Sequence, residues 1–343
     1  MKSNSSLFAT AIFLSAARLS AQVPEIAVKP ALEVTFPTDT GKAYQLEEHI
    51  DGDTWRPIGE PVSGTGQPFA TFLPGADQKL RLRELKNQWV RVWNDEFEGD
   101  RIDPAKWSRE ENGYGGGNNE RQFYSTDPKF AHVKDGLLQL ALYREPHTTT
   151  DGKTQPYTSA RLRTLERGDW TYGRFEVRAK VPGGEGIWPA IWMLPSTSKY
   201  GGWAASGEID ILESRGSAVH ETLGTLHFGG AWPKNQHLGE AYQFPEKSAA
   251  EDFHEYAIEW EADEIRWFVD GKKWQTRTSK EWNSAAAPEN SRAPFDQPFH
   301  LIVNLAVDGG FFGGTDQKSD RLPDSAFPQI FQIDYVRVYR WVE

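Results

Sequence analysis

The segment Gly173–Pro182 reads GRFEVRAKVP and alternates between apolar and charged residues. Successive side chains of a β-strand point to opposite faces, so residues two apart share a face. One face of this segment carries Phe175, Val177, Ala179 and Val181, and the other carries Glu176, Arg178 and Lys180. The alternation therefore predicts a strand that is buried on one side and exposed to water on the other.

Strand patterns of this kind fill the chain from residue 88 to its end. GLLQLALYR, FHLIVNLAV and QIDYVRVYRW are further examples. HEYAIEWEADEIRWFVDGKKWQ predicts two strands and the start of a third, with Asp270-Gly271 as a tight-turn dipeptide. No long segment has the helical period of 3.6 residues, and no repeat of 20–50 residues is visible. Many strands without intervening helices predict an all-β fold in which two sheets form a sandwich.

The composition narrows the classes of function. The chain has 343 residues, a formal net charge of -11, no Cys and 14 Trp. An acidic chain lacks the basic patch that nucleic acids require, and a chain without Cys forms no disulfides and has no thiolate chemistry. Indole rings pack well against the apolar C–H faces of sugars, so the Trp content points towards carbohydrate binding, while a large aromatic core would also account for some of these residues.

The first 87 residues predict two separate segments. Residues 1–21 resemble a signal peptide, with one Lys, an apolar stretch too short to span a bilayer, and small residues near Ala21. We therefore expect secretion, or a periplasmic or cell-surface location, and no membrane span. Residues 22–87 predict a small β module that serves as a sugar-binding accessory, a spacer or a docking unit. Residues 88–343 would then form the main domain.

Within the main domain, the segment Glu208–Glu213 reads EIDILE and places three acids in an apolar strand. Glu208 and Asp210 share a face, whereas Glu213 has the opposite parity in a regular strand. A β-bulge near Ile211-Leu212 would absorb one residue and bring all three acids onto one face. Glu208 and Glu213 would then suit a retaining glycosidase, whose two carboxyl groups lie ~5–5.5 Å apart. Asp210 would hydrogen-bond Glu208. A calcium cluster or a solvent-facing strand would also explain three acids.

The chain resembles glycoside hydrolase family sixteen, in its laminarinase-like (endo-1,3-β-glucanase) branch. The resemblance rests on GEIDILE together with GNNERQFY, GRFEVRAKVPGGEGIWPAIWMLP, TLHFGGAWP, FHLIVNLAVDGGFFGG and IDYVRVY, and it covers about residues 89–343. It implies a β-jelly-roll catalytic domain in which Glu208 is the nucleophile, Glu213 is the acid/base and Asp210 assists. Mixed-linkage glucan, a galactan, or sugar binding without catalysis are the alternatives that we keep open.

The resemblance also implies a set of substrate-binding residues, each of which has a structural alternative. Asn118 and Asn119 match a sugar-binding position but also suit a turn, and Arg161 matches an arginine that reaches sugar hydroxyls. Trp188 and Trp192 share one strand face and are either cleft or core residues, whereas Trp203 and Trp232 lie in loops suited to sugar stacking. His227 matches a position near the acid/base. Asn304 points into the cleft or is a buried amide.

The same resemblance implies a calcium site remote from the catalytic acids, with Glu96, Gly136 and Asp334 as its ligands. The resemblance implies that this calcium ion is structural. Separately, no His or Cys cluster with ligand spacing suggests a catalytic metal. We expect no catalytic cofactor. The expected partner is a β-1,3-glucan polysaccharide or oligosaccharide, and the protein is expected to act as a monomer.

Overall fold

The computed structural model describes residues 30–75, 78–313 and 317–343. The predicted signal peptide, residues 1–21, lies outside the described residues, as do residues 22–29 of the predicted β module. The described parts form 25 strands and three short 3-10 helices. None of these helices is long and apolar enough to cross a membrane.

The strands are numbered in the order in which they occur along the chain. The first half of the chain contains β1 Ala31–Phe36, β2 Ala43–Asp51, β3 Thr54–Ser63, β4 Phe69–Pro74, β5 Leu80–Leu85, β6 Gln88–Asp95, β7 Ser108–Arg109, β8 Gln122–Tyr124, β9 Ala131–Lys134, β10 Leu137–Leu142, β11 His147–Thr148, β12 Thr154–Gln155, β13 Tyr157–Ser159, β14 Arg161–Arg163 and β15 Asp169–Trp170. The second half contains β16 Gly173–Lys180, β17 Ile187–Pro195, β18 Glu208–Glu213, β19 Glu221–Gly229, β20 Asn235–Gln243, β21 His254–Trp260, β22 Glu264–Val269, β23 Lys272–Thr278, β24 Phe299–Val307 and β25 Gln329–Val342. The short helices are Gly310–Phe312, Lys318–Arg321 and Asp324–Ala326.

Two eight-stranded sheets build the main domain. The cleft sheet has the order β20-β19-β18-β17-β24-β14-β7, with β15 on β24, and the outer sheet has the order β23-β22-β21-β16-β25-β10-β9, with β6 on β25. One hydrophobic core contains residues of both sheets, such as Val177 and Val336 of the outer sheet and Ile191 and Val303 of the cleft sheet. The all-β sandwich predicted from the sequence is therefore confirmed.

The alternation in Gly173–Pro182 has the predicted consequence. In β16, buried and partly buried residues alternate, and Phe175, Val177 and Ala179 are completely buried. The predicted turn at Asp270-Gly271 joins β22 to β23, and both of its residues have left-handed backbone angles (φ 49° and 73°). That conformation is the one required by a two-residue hairpin turn.

The strands before residue 86 pair only with one another in the described part of the chain: β1 with β4, and β2 with β3 and β5. The next strand, β6, instead belongs to the outer sheet, where it pairs with β25. A small apolar cluster of Ala43, Leu85, Val90 and Val342 connects the two parts. This change of partner falls at the predicted boundary between residues 87 and 88, and the division into domains remains a prediction.

Candidate active site

The solvent-side face of the cleft sheet carries a cleft of about 490 Å³. On β17, Ile187, Ile191 and Met193 point into the core, whereas Trp188, Ala190, Trp192 and Leu194 line the cleft. On β24, Leu301, Val303 and Leu305 point into the core, whereas Asn304 and Ala306 line the cleft. The strand alternation read from the sequence thus separates core residues from cleft residues.

A β-bulge interrupts β18 at the predicted place. Against β19, Asp210 pairs with Thr225 and Glu213 pairs with Leu223, so two residues of β18 lie opposite the single residue Gly224. Both Ile211 and Leu212 are buried in the core, and Glu208, Asp210 and Glu213 all line the cleft. The predicted bulge is confirmed, because it restores Glu213 to the face of the other two acids.

The outer sheet supports this bulge from the opposite side of the core. The indole of Trp267 on β22 donates from Nε1 to the backbone carbonyl oxygen of Asp210 at 2.8 Å. A Cβ atom at Gly224 would lie 2.5 Å from the same indole ring, so the strand opposite the bulge needs a residue without a side chain there. Sequence reasoning missed this contact, since 57 residues separate its partners.

The carboxylate of Glu208 has two neighbouring donor groups, one neutral and one ionisable. Trp203 donates from Nε1 to Oε2 of Glu208 at 2.8 Å. Nε2 of His227, which is directly opposite Glu208 on β19, lies 3.6 Å from Oε1 of Glu208 and 3.3 Å from Oδ2 of Asp210. His227 thus contacts both carboxylates at once. A direct Asp210–Glu208 hydrogen bond, which the sequence led us to expect, is absent from the described residues, because Oδ2 of Asp210 is turned towards His227.

Glu213 has a different set of neighbours. Trp188 donates from Nε1 to Oε1 of Glu213 at 3.1 Å. The indole of Trp188 stacks on Phe311, with ring centroids 4.4 Å apart and an angle of 13° between the planes. The guanidinium of Arg215 lies 4.3 Å from the centroid of the Phe311 ring. Phe311 was missed at the sequence level, although an aromatic residue in a Gly-rich loop suits a cleft role for the same reason as Trp203.

Burial and mutual repulsion shift the titration of the cluster. Burial raises the pKa of Glu208, and the charge of Asp210 raises it further, whereas His227 and the Trp203 hydrogen bond lower it. Burial also raises the pKa of Glu213 well above the ordinary value, and Asp210 adds to the shift. Burial would lower the pKa of His227, but Asp210, Glu208 and Glu213 overcome it and raise that pKa to about 9. The site therefore favours a protonated carboxyl beside a cationic imidazole.

Arg161, Trp192 and Asn304 form one connected group on the floor of the cleft. Trp192 donates from Nε1 to Oδ1 of Asn304 at 2.7 Å, and the guanidinium of Arg161 lies 4.7 Å from the Trp192 ring centroid. Arg161 pairs with Asn304 across β14 and β24, and its Nε lies 3.3 Å from Oε1 of Glu110. Asn304 is therefore both a cleft residue and a buried amide with a partner.

The cleft rim carries two exposed indoles. Trp203 is 41% exposed and Trp232 is 72% exposed, their ring centroids are 6.5 Å apart, and both line the cleft. Exposed rings of this size leave apolar area available to a ligand. Asn118 also lines the cleft. Asn119 is not among the lining residues; it is exposed with φ 59°, which fits the turn alternative, and its contact with the sugar stays a prediction.

Several cleft residues escaped the sequence analysis. They are Tyr114, Gly116, Gly117, Glu120, Tyr124, Ala190, Leu194 and Ala306. Glu120 is buried, and burial raises the pKa of its carboxyl, although Gln122 donates to Oε2 at 2.6 Å. A signal was present, because Glu120 directly follows the Asn pair and shares its strand parity with Gln122 and Tyr124.

The predicted calcium ligands lie near one another in the outer sheet. Glu96 follows β6, Gly136 is in the turn between β9 and β10, and Asp334 is in β25, which pairs with both β6 and β10. The carboxylate of Glu96 accepts two bonds from Arg337 (2.9 and 2.7 Å), and that of Asp334 pairs with Arg178. Backbone carbonyl and carboxylate oxygens are ligands that calcium accepts, so these residues remain the predicted ligands, although Asp334 could serve only if its carboxylate left Arg178.

Comparison with known proteins places the cleft in a family. A family model described as glycosyl hydrolases family 16 matches residues 118–335. Glucan endo-1,3-beta-glucosidase A1 of Niallia circulans is 44% identical over 261 residues, which are 73% of this chain and 37% of that protein. Beta-glucanase of Rhodothermus marinus is 43% identical over 262 residues, which are 74% of this chain and 86% of that protein.

A solved structure agrees with the sequence relatives. The X-ray structure of the laminarinase from Rhodothermus marinus superimposes with a TM-score of 0.64 at 42% sequence identity, and the match covers 75% of this chain and 99% of that one. The matched family region contains β18, with its bulge, and the strands around it. The chain therefore belongs to glycosyl hydrolases family 16, and its two large sheets form a jelly-roll sandwich.

Proposed function

We propose that this protein is a retaining endo-β-glucanase that hydrolyses 1,3-β-D-glucosidic linkages in laminarin-like glucans. The observation that carries the proposal is the bulge in β18, which puts Glu208, Asp210 and Glu213 on one face inside an aromatic-lined cleft. The names of the relatives support the linkage, since two of them are a glucan endo-1,3-beta-glucosidase and a laminarinase. The relative from Niallia circulans is much longer than the matched segment, so its activity as a whole protein does not transfer automatically.

In the first chemical step, an oxygen of Glu208 attacks the anomeric carbon of the sugar. Glu213 gives its proton to the glycosidic oxygen, the C–O bond to the leaving chain breaks, and a glycosyl ester on Glu208 forms. The raised pKa of Glu213 keeps its proton available for this donation. The donor groups of Trp203 and His227 favour an ionised Glu208 against the effect of its burial.

In the second step, the ionised Glu213 removes a proton from water. The water oxygen attacks the anomeric carbon from the face that the leaving chain vacated, and the bond to Glu208 breaks. Two inversions at the same carbon retain its configuration. Asp210 supports both steps, because its negative charge raises the pKa of Glu213 and pairs with His227 beside Glu208.

The cleft walls supply binding surface for the glucan. Trp203 and Trp232 offer exposed rings for the apolar faces of sugars, and Arg161, Asn118 and Asn304 offer polar groups for hydroxyls. Sugar sites characteristically combine aromatic area with a few well-placed polar groups. These residue roles are proposals that rest on position in the cleft.

Activity on laminarin tests the proposal directly. We expect the wild type to release reducing ends from laminarin and Glu208→Gln to release almost none while it still binds laminarin. Equal release by both proteins would sink the catalytic interpretation and leave a sugar-binding protein. A parallel assay on mixed-linkage glucan and agarose, with product analysis, decides the substrate, and proton NMR of the first product should show the β configuration.

The location of the protein and its oligomeric state are two further proposals. A secreted glucanase fits the predicted signal peptide at residues 1–21, and N-terminal sequencing of the mature protein would find a new terminus near residue 22. We expect a monomer on size exclusion with light scattering. The β module from residue 22 to residue 87 is proposed as an accessory unit, and its removal should leave cleavage of short oligosaccharides unchanged.

The structural calcium ion is a separate proposal. A ligand that binds only the folded state stabilises it by RT ln(1 + [L]/Kd). We therefore expect a higher melting temperature in millimolar Ca²⁺ than in a chelator, with no change in the pH profile of activity. Identical melting curves under the two conditions would remove the calcium site.

A further inference from the structure

A second property of the catalytic cluster concerns cations. In the described residues, one group of His, Asp and Glu side chains could hold a metal ion, and it consists of Glu208, Asp210 and His227. One candidate ligand atom from each residue lies within 4.8 Å of the others. Clustered acids alone do not make a metal site, but the spacing of these atoms and one unpaired oxygen both point to a bound cation.

The distances match a tetrahedral metal site. A zinc ion holds nitrogen and oxygen ligands at about 2.0–2.2 Å, so two ligand atoms of a tetrahedral site lie about 3.3–3.5 Å apart. Nε2 of His227 lies 3.3 Å from Oδ2 of Asp210 and 3.6 Å from Oε1 of Glu208. Two of the three ligand pairs thus need almost no movement to bind zinc.

One of these atoms has no other partner. Asp210 is 2% exposed, and its Oδ2 atom is buried without a hydrogen-bond partner among the described residues. The imidazole Nε2 of His227, itself a candidate ligand, lies 3.3 Å from this oxygen, so a cation held between Asp210, Glu208 and His227 would give the buried oxygen a direct ligand bond. The burial of this oxygen and its lack of a hydrogen bond are a second observation that points to the same place.

The backbone holds the three ligands on rigid elements. Glu208 and Asp210 are two residues apart on β18, and His227 pairs directly with Glu208 on β19. Trp203 binds Oε2 of Glu208 and leaves Oε1 as the oxygen nearer to His227. Side chains fixed on strands lose less freedom on metal binding than side chains on loops.

From this geometry we propose that Glu208, Asp210 and His227 form an inhibitory binding site for Zn²⁺ or a similar transition-metal ion. One imidazole and two carboxylates suit zinc or copper, whereas calcium and magnesium prefer oxygen ligands alone. A fourth position stays open for water or a sugar hydroxyl. The metal would occupy the oxygen that attacks the sugar, so it would compete with the substrate. Binding is independent of the proposed function, and only inhibition depends on it.

Cobalt is the probe for the binding test, since tetrahedral Co²⁺ absorbs visible light and replaces zinc in nitrogen and oxygen sites. We expect the full chain to bind one Co²⁺ ion per molecule with the absorption spectrum of a tetrahedral site. Added Zn²⁺ should displace the Co²⁺ ion and abolish that spectrum. Loss of one ligand in His227→Asn should weaken Zn²⁺ binding by calorimetry about 100-fold, a loss at the upper end of that seen for outer-shell partners. Asp210→Asn should weaken it as well.

His132 on β9 of the outer sheet provides the matched control, and His132→Asn should bind Zn²⁺ like the wild type. Far-UV circular dichroism would verify that all variants are folded. Unchanged zinc affinity in both His227→Asn and Asp210→Asn, or no binding by the wild type at millimolar Zn²⁺, would overturn the proposal. Competitive inhibition of laminarin cleavage by Zn²⁺, reversed by a chelator, is the expected consequence in the active enzyme.

Discussion

The surroundings of Glu208 and Glu213 differ, although both carboxylates accept one indole N–H. Glu208 also has the imidazole of His227 at 3.6 Å, whereas Glu213 is bonded to Trp188, which is packed on Phe311. A cation beside a carboxylate favours the ionised form, and an apolar aromatic wall favours the protonated form. This difference supports the proposal that the two glutamates on one strand take opposite roles, Glu208 as nucleophile and Glu213 as acid.

Removing either carboxylate is the strongest way to break this comparison. We expect Glu213→Gln to lower kcat on laminarin by about 10³-fold, because general acid–base groups contribute that order of magnitude. Glu208→Gln should lower kcat at least as much, because no glycosyl ester forms without the nucleophile. The control is Glu111→Gln, an exposed acid that is not among the cleft residues and that should keep wild-type kcat. Initial rates of reducing-end release measure all three.

Azide distinguishes the two roles. In Glu213→Ala, azide attacks the glycosyl ester and should yield a β-glycosyl azide from a substrate with a good leaving group. In Glu208→Ala, azide replaces the nucleophile and should yield the α-azide. The reverse assignment of the two products by NMR would exchange the roles of the two residues.

The imidazole of His227 should make the next largest contribution to the difference between Glu208 and Glu213. The charge of His227 lowers the pKa of Glu208, so His227→Asn should raise that pKa and move the acidic limb of kcat/KM to higher pH. A shift of about one unit would cost about tenfold in kcat/KM on that limb. The basic limb should move less, and His132→Asn is again the control. An acidic limb that stays in place would show that His227 does not tune Glu208.

A substitution of Phe311 tests the surroundings of the other carboxylate, Glu213. Phe311→Ala should loosen Trp188, weaken its bond to Glu213 and raise the pKa of that carboxyl, because the bond favours the ionised form. We expect the basic limb of the pH profile to move up and kcat to fall about fivefold, the worth of roughly one hydrogen bond. Phe311→Tyr keeps the stack and should behave like the wild type. A lower kcat with an unchanged basic limb would indicate only a structural defect.

The smallest expected effect is on stability. Because the folded state raises the pKa of Glu213 above its ordinary 4.5, the unfolded chain ionises first as the pH rises, and folding loses stability above about pH 4.5. Glu213→Gln removes this loss. The melting temperature of Glu213→Gln should equal that of the wild type near pH 4. Near pH 7 it should be higher, by about 2–4 °C for each kcal/mol by which the free energy of unfolding increases. A lower melting temperature at pH 7 would contradict the sign.

Features that depend on local alternation and parity could be predicted from the sequence. The faces of β16, β17 and β24 follow from period two, and the bulge at Ile211-Leu212 follows from an odd spacing of acids. Contacts between distant segments have no such signature. The bond from Trp267 to Asp210 and the stack of Phe311 on Trp188 join residues 57 and 123 positions apart, and only the packed sandwich brings them together.

Side-chain partners were harder to predict than positions. Asn118 and Asn119 are neighbours with the same residue type, yet only Asn118 is among the residues that line the cleft, and Asn119 has a left-handed φ of 59°. Asp210 was expected to bond Glu208, but its Oδ2 atom faces His227 on the adjacent strand at 3.3 Å. Backbone angles and cross-strand register decide such choices, and neither is written in a single segment.

The hydrogen bond from Trp267 to the carbonyl of Asp210 limits which substitutions the chain can accept, in evolution and in engineering. Gly224 and Trp267 depend on each other. A Cβ atom at residue 224 would lie 2.5 Å from the indole, and a ring smaller than the indole at residue 267 would not reach the carbonyl in the same way. A change at one residue would therefore call for a change at the other. A graft that carries β18 without β22 would import the three acids without the Trp267 contact that supports their bulge.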